Sequence, residues 1–363
     1  LRQVRSVTPG YDRGMESGEQ VHELRERTPR VTAAMVAARA GVSTATVSLV
    51  ANGKTQGRVS EDNISRVREA IAELGYVVDS IGSSLAKGIS SIVILVAPDI
   101  SNPFFANVIA GVRGALGAEY QLLLSVTDAG EFPRVDDVRR LLALRPAGLL
   151  VDAPSAEFLE DLSVAGPLVL LDAPGLESFA PSVNLDVGHG ARLLARHLAD
   201  AGHKQAAYMD SVTGTATFDI RRAAFLEESA ALGITVATDH VIGTTIDVGA
   251  AAGAFAAAWP DWQRDGVTAV VCATDTHAYG VLQEARVAGV RIPQELAVAG
   301  FDDLPYSATS NPGLTSVHLP GDALGARAGE QLRRVMEGKG LEQHQLILQG
   351  SLMVRGSTEP AST

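Results

Sequence analysis

Cysteine is almost absent. The 363 residues hold one, Cys272, which rules out an internal disulfide framework. Its neighbours Ala269, Val270, Val271 and Ala273 mark it as a core residue rather than a nucleophile. No stretch approaches the ~18 uninterrupted apolar residues of a membrane-spanning helix, and no export signal is recognised ahead of the first structured segment, so the expected location is the cytoplasm, with no membrane partner. The chain lacks G-x-G-x-x-G, G-x-S-x-G and any pair of His or Cys at metal-ligand spacing. The eight histidines are scattered, with His189, His197 and His203 on helix surfaces or loops. Gly53-Lys54-Thr55 resembles the end of a phosphate loop, but the first glycine of that motif would fall at Ser48. These absences argue against an enzyme, a metal protein or a cofactor carrier.

What is present is a globular composition with an uneven charge. Hydrophobic residues make up 46% and charged residues 20%, for a net charge of −12, and the length suits two or three domains. Residues 1–90 carry 12 Lys/Arg against 10 Asp/Glu, net +2, while the remainder carries 18 against 32, net −14. An acidic body with a basic front suits a protein that presents one end to nucleic acid.

That front contains Val31 to Asn52, V-T-A-A-M-V-A-A-R-A-G-V-S-T-A-T-V-S-L-V-A-N. Thr32 is placed to cap a helix over Ala33–Ala40, Gly41 stops it, and Ser43 caps a second over Thr44–Val50. Met35, Val36, Val42 and Val47 are available to hold the pair together. This is the grammar of a helix-turn-helix whose second helix enters the major groove, although any αα-hairpin shares it. Arg30, Arg39, Lys54 and Arg58 are the ionisable residues from 30 to 60, all basic, and this favours DNA. A third helix starts after Ser60, with Ile64, Val67, Ile71 and Leu74 on one face and Gly75 at its end.

The expected organisation is a disordered leader at 1–29, a DNA-binding headpiece at 30–78, a hinge at 79–90, a core at 91–355 and a tail at 356–363. The core begins with the apolar strand Ile92–Val96. Further strands are expected at Gln121–Val126, Gly148–Asp152, Leu168–Asp172, Gln205–Asp210, Thr268–Cys272 and Leu296–Gly300. Helices alternate with them at Val135–Leu144, Gly188–Ala201, Phe218–Leu232, Val248–Trp259 and His277–Ala288, with a late helix at Asp322–Glu337. Continuous apolar strands alternating with helices mean parallel sheets covered on both faces, and this number of βα units suits two doubly wound lobes. Ligands of such sheets sit beyond the strands' carboxyl ends. Polar residues gather there: Asp99 to Asn102, Asp128, Asp152, Asp172, Asp210, Thr274-Asp275 and Asp302-Asp303. Their convergence points to a small polar ligand between the lobes.

From Arg30 to Arg355 the chain closely resembles the lac/gal repressor family of bacterial transcription regulators. The resemblance rests on V-A-A-R-A-G-V-S-T-A-T-V-S with Asn52-Gly53, then A-I-A-E-L-G-Y, V-A-P-D-I-S-N-P-F-F, H-L-A-D-A-G-H, Arg221 with Phe225, V-A-G-F-D-D and P-G-L-T-S-V. It implies a helix-turn-helix headpiece on an α/β core of two parallel-sheet lobes like those of periplasmic binding proteins. It also implies a homodimer on a roughly palindromic double-stranded operator, a hinge that folds on DNA, and repression under allosteric control by a small effector, a sugar or related metabolite. The resemblance places Thr32, Thr46, Ser48, Asn52 and Ser60 at phosphate contacts, joined by the cap Ser43. It places Thr44, Ala45 and Arg58 near base edges and Leu85 at the wedge into the central minor groove.

Two departures matter. Leu49 stands where the family commonly has Arg, which removes a bidentate guanine contact. In the hinge, Val78, Asp79 and Gly82 replace the usual Pro, Asn and Ala; the acid near phosphates and the glycine within a short helix both weaken hinge folding, the glycine by ~1 kcal/mol. For the effector, the resemblance implies Asn102, Phe104 and Phe105 from one lobe and Thr217, Arg221, Asp275 and Asp302 from the other. Arg221 and Asp302 are the leading pair, a donor fork and an acceptor that bracket vicinal hydroxyls. Plain packing of Phe104 and Phe105, and a structural ion pair for Arg221, are the competing readings. Thr244 stands where some members stack a tryptophan, while Trp259 and Trp262 fall at a helix end away from the cleft. A transport solute-binding protein and a doubly wound enzyme are the alternatives. The basic headpiece argues against the first and the missing catalytic motifs against the second. No heptad run follows Arg355, so dimers rather than tetramers are expected.

Overall fold

The computed structural model describes residues 31–76, 90–97, 100, 102–127, 133–164 and 166–358. The expected leader, Arg30, the hinge with Val78, Asp79, Gly82 and Leu85, and the residues Asp99 and Asp128 lie outside them. The described residues fall into two units, 31–76 and 90–358.

In the first unit, α1 (Ala33–Ala40), α2 (Thr44–Ala51) and α3 (Glu61–Leu74) enclose a small core of Val36, Ala37, Ala40, Val47, Val50, Ile64, Val67 and Ala70. Each helix begins on a hydroxyl cap: Thr32 accepts from the Met35 amide, Ser43 from Thr46 and Ser60 from Asn63. Gly41 leaves α1 at φ +65° and donates to the Ala37 carbonyl. A side chain would resist that left-handed turn, and the chain bends there by 103° into α2.

The second unit holds two six-stranded sheets among the described residues. One contains β1 (Ile92–Ala97), β2 (Gln121–Val126), β3 (Gly148–Asp152), β4 (Leu168–Leu171), β5 (Ser182–Asp186) and β11 (Gln345–Gln349), in the order β11-β5-β4-β3-β1-β2. The other contains β6 (Ala206–Ser211), β7 (Val241–Thr244), β8 (Ala269–Cys272), β9 (Ala297–Asp302), β10 (Thr315–His318) and β12 (Ser351–Met353), in the order β12-β10-β9-β8-β6-β7. Every pairing is parallel except β10 with β12. Parallel neighbours require crossovers, here made largely by α4 (Pro103–Leu116), α5 (Val135–Leu142), α6 (Ala156–Leu162), α7 (Val187–Asp200), α8 (Ala216–Ala231), α9 (Val248–Arg264), α10 (Asp275–Val287) and α11 (Gly321–Met336). The chain passes between lobes three times, at 186–187, 318–321 and 349–351, because α11 and β11 return to the first lobe and β12 to the second.

Burial explains both the strands that a continuous apolar run reveals and those it misses. All six residues of β1 are buried, as a parallel strand covered on both faces requires. The strand β5 carries buried Ser182 and Asn184, and β10 carries buried Thr315 and Ser316, so neither shows an apolar run. Asn184 is satisfied by accepting from the Ala173 amide at 2.8 Å and donating to Glu177 at 3.3 Å. The helix α9 continues past Trp259 through Pro260 to Arg264, because Trp262 is buried with Phe255 and Trp259 in the second lobe's core. Helices α4 and α11 approach so closely that a Cβ on Gly325 would lie 2.0 Å from the Val108 carbonyl oxygen.

Candidate functional site

In the first unit, Val47 and Val50 anchor α2, and Thr44, Ala45, Ser48 and Asn52 stand on its exposed side, with Leu49 half-buried at the border. Asn52 turns its amide back on the helix, donating to the Ser48 carbonyl at 2.7 Å. The Ser43 hydroxyl, besides capping, lies 2.9 Å from the Thr46 hydroxyl. Thr32, Ser43 and Ser60 each sit at a helix start, where unpaired amides and the helix dipole favour an anion. Of the three cations in residues 31–60, Arg39 is engaged by Glu73, at 2.6 and 3.2 Å. Lys54 and Arg58 are exposed, without an ion-pair partner among the described residues. The basic count read from sequence therefore overstates the charge free to meet phosphates by one.

In the second unit, the carboxyl ends of both sheets face one another. Asn102 caps α4 by accepting from the Phe104 amide at 2.9 Å, and its Nδ2 donates to Asp302 Oδ2 of the opposite lobe at 3.3 Å. Asp302 ends β9 at φ +103° and Asp303 follows at +53°, positive-φ positions that cost a non-glycine residue backbone strain and are held here by the packing around the strand end. Arg221, one turn into α8 and one turn on from buried Thr217, lies over the rings of Phe301 and Phe218, 4.3 and 5.1 Å from their centroids. Its Nη1 donates to the Ala273 carbonyl and lies 4.0 Å from Asp302 Oδ1. Its Nε is buried without a partner. The guanidinium is thus held flat, with donor capacity left over.

The other implied residues separate by environment. Phe104 is buried against α11 and belongs to the first lobe's core, while Phe105 is half-buried and meets it edge to face at 5.3 Å. Asp275 is enclosed beneath Gly300, where a Cβ would stand 2.3 Å from its Oδ1. Its oxygens accept from the Ser316 and Ser307 hydroxyls and from the Leu304 amide at 2.8 Å. It therefore fixes the loop after β9, next to Asp302, rather than opening on the cleft.

Two acids left out of the implied set belong to this region. Asp152 ends β3 and Asp172 follows β4 at φ +48°. Burial pushes both up, Asp172 to about 6 despite the Leu185 amide and Arg221, and Asp152 well above its ordinary value with Asp172 adding to the rise. Burial likewise lifts Asp302 to about 6 against the opposing pull of Arg221 and Asn102. The terminal position of both acids on apolar strands was the available sequence sign. Phe218 and Phe301, which clamp Arg221, gave none.

Known proteins resemble this arrangement along nearly the whole chain. The family description for bacterial regulatory proteins of the lacI family matches residues 30–79, and that for a periplasmic binding protein-like domain matches 195–358. A ribose operon repressor of Halalkalibacterium halodurans is 32% identical over 334 residues, 89% of this chain and 96% of that protein. The HTH-type transcriptional regulator GntR of Pseudomonas aeruginosa is 31% identical over 343 residues, 91% of this chain and 96% of that one. The crystal structure of the lac repressor dimer bound to operator and the anti-inducer ONPF shares the fold, with a TM-score of 0.75 at 22% identity over 91% of this chain and 99% of that one. The chain belongs to the lacI family of bacterial regulatory proteins, as a transcriptional repressor with a DNA-binding headpiece and an effector-binding core.

Proposed function

We propose that this repressor acts in the cytoplasm as a homodimer on a roughly palindromic operator and is controlled by a small hydroxylated metabolite held between its lobes. Residues 30–78 serve as headpiece, 79–90 as hinge and 91–355 as core. Thr32, Ser43, Thr46, Ser48, Asn52 and Ser60 anchor phosphates from helix starts and from the exposed side of α2. Thr44, Ala45, Leu49 and Arg58 approach base edges, and Leu85 is the proposed minor-groove wedge. In the cleft, Asn102, Phe105, Thr217, Arg221 and Asp302 meet the effector. Phe104 and Asp275 support that set from behind.

The observation that carries this reading is the Arg221–Asp302 pair at the facing strand ends, bridged to the other lobe by Asn102. A ligand that engages all three binds one lobe arrangement better than another, which is the condition for shifting a population. The ribose operon repressor among the relatives favours a carbohydrate. The test is selection of duplexes by the full chain, followed by a thermal-shift screen of sugars, polyols and nucleosides. A palindromic consensus and a hit lost on Arg221→Ala are expected. A single half-site consensus overturns the dimer reading, and a hit indifferent to Arg221→Ala moves the effector elsewhere.

A further inference from the structure

The first lobe's side of the cleft has more acid than Arg221 of the second lobe, already paired with Asp302, answers. Asp152 and Asp172 stand at the ends of adjacent parallel strands, with Asp152 in register with Leu171 and Asp172 the next residue on. Asp152 is only 6% exposed, and its Oδ1 has no hydrogen-bond partner. Among the described residues, Asp172 Oδ1 accepts from the Leu185 amide at 3.2 Å and from no other donor. Neither acid has an ion-pair partner among the described residues. Across the cleft, Arg222 is engaged by Asp210 and by Asp219, which leaves Arg221 to face Asp302 and the acids opposite.

A buried carboxylate oxygen without a partner is costly, and at a cleft between two lobes a bound ligand is the partner that completes it. Completion here requires positive charge as well as hydrogens to donate. A neutral polyol supplies donors but leaves the negative charge of the adjacent pair uncompensated, and an anionic metabolite adds to it. A protonated amine supplies both charge and three donors. Arg221 Nε, buried and also unpartnered, asks for the opposite, an acceptor such as a hydroxyl oxygen.

We infer that Asp152 and Asp172 form an ammonium-recognising subsite, and that the effector is an amine-bearing hydroxylated metabolite of the amino-sugar class, its nitrogen between these carboxylates and its hydroxyls toward Arg221 and Asp302. The inference rests on the effector cleft proposed above. Burial also raises both acids, so without ligand the pair relieves its repulsion by holding a proton, which the ammonium displaces on binding.

The test compares matched compounds on the full chain near neutral pH by thermal shift and calorimetry: D-glucosamine and D-galactosamine, their parent hexoses, the N-acetylated forms, and D-gluconate. An amino sugar is expected to raise the melting temperature where its parent, its N-acetyl form and gluconate do not. Asp152→Asn is expected to weaken that binding about tenfold or more, as loss of a charge-assisted contact does. The same substitution is expected to leave the ligand-free melting temperature unchanged or raised, since Asn keeps the shape of the neutral acid and removes the repulsion between the two carboxyls. A fall in that temperature would show an internal partner for Asp152 and overturn the inference. Equal response to parent sugars or gluconate, or no response to either amino sugar, also overturns it. A neutral sugar lost on Arg221→Ala but kept on Asp152→Asn would refute the ammonium subsite while leaving the effector cleft standing.

Discussion

The side chain of Asn102 belongs to one lobe by its oxygen and to both by its nitrogen. Its Oδ1 caps α4 through the Phe104 amide, and its Nδ2 reaches Asp302 of the second lobe at 3.3 Å. Among the candidate effector residues this is a direct lobe-to-lobe hydrogen bond, and a ligand between the lobes must either reinforce or replace it. Asn102→Ala removes the bridge together with the cap. The expected outcome is a loss of about 1 kcal/mol from the cap and a more open core, read as a larger radius of gyration by small-angle scattering of the ligand-free protein. An unchanged radius would locate the control of lobe spacing in the three crossovers instead.

The buried acids make stability depend on pH in an unusual direction. Asp172 and Asp302 are lifted to about 6 and Asp275 to about 7, above the ordinary carboxylate value. The folded state therefore holds protons that the unfolded chain releases. The stabilisation is complete below the unfolded value and is lost as pH rises through 6 and 7. For Asp172 or Asp302 it is worth roughly 3 kcal/mol, lost between about pH 4 and pH 6. The full chain is expected to melt at lower temperature near pH 7 than near pH 5, and Asp302→Asn should flatten the difference. A melting temperature that rises over this interval in the wild type would mean that these acids are ionised throughout.

Contact between α4 and α11 supplies a paired test of packing. Gly325 faces the Val108 carbonyl at a distance no Cβ tolerates, whereas a Cβ on Gly114 of the same α4 meets nothing within 4 Å. Gly325→Ala must push the helices apart and is expected to cost about 3 kcal/mol or more in chemical denaturation, at the upper end of overpacking. Gly114→Ala removes a poor helix former from an open position and is expected to gain up to ~1 kcal/mol. Comparable effects from both substitutions would contradict the close approach.

Much of this architecture was legible because burial on both faces writes itself into strands as uninterrupted apolar runs, as in Ile92–Ala97. Where polar residues are buried and satisfied by partners distant in sequence, the pattern fails. Asn184 hides β5 because its partners are Ala173 and Glu177, and Thr315 hides β10 because its hydroxyl serves the Arg355 carbonyl at 3.0 Å. The candidate cleft was legible in the same partial way. Strand-end acids announce a ligand-binding edge, but nothing local separates Asp275, whose oxygens are taken by Ser307, Ser316 and Leu304, from Asp152, whose Oδ1 is free. Arg39 shows the converse error, since Glu73, which neutralises it, lies 34 residues away.

Leu49 offers the sharpest test of the proposed DNA surface. It lies on α2 between exposed Ser48 and buried Val50, half-buried at the edge of the exposed side that carries Thr44, Ala45, Ser48 and Asn52. A leucine there offers apolar contact at most, for example to a thymine methyl, whereas an arginine offers two parallel donors to a guanine edge. Leu49→Arg in the full chain is expected to create a guanine preference in each half-site, worth about 1–3 kcal/mol against other bases. The added cation should also steepen the salt dependence of binding. Because the position is only half-buried, the longer side chain has solvent to extend into, and the melting temperature of the variant distinguishes a lost fold from a changed specificity. Selection from random duplexes by both proteins reads the outcome directly. An identical consensus and salt slope in a folded variant would mean that residue 49 does not face the bases, and would move the proposed recognition surface along α2.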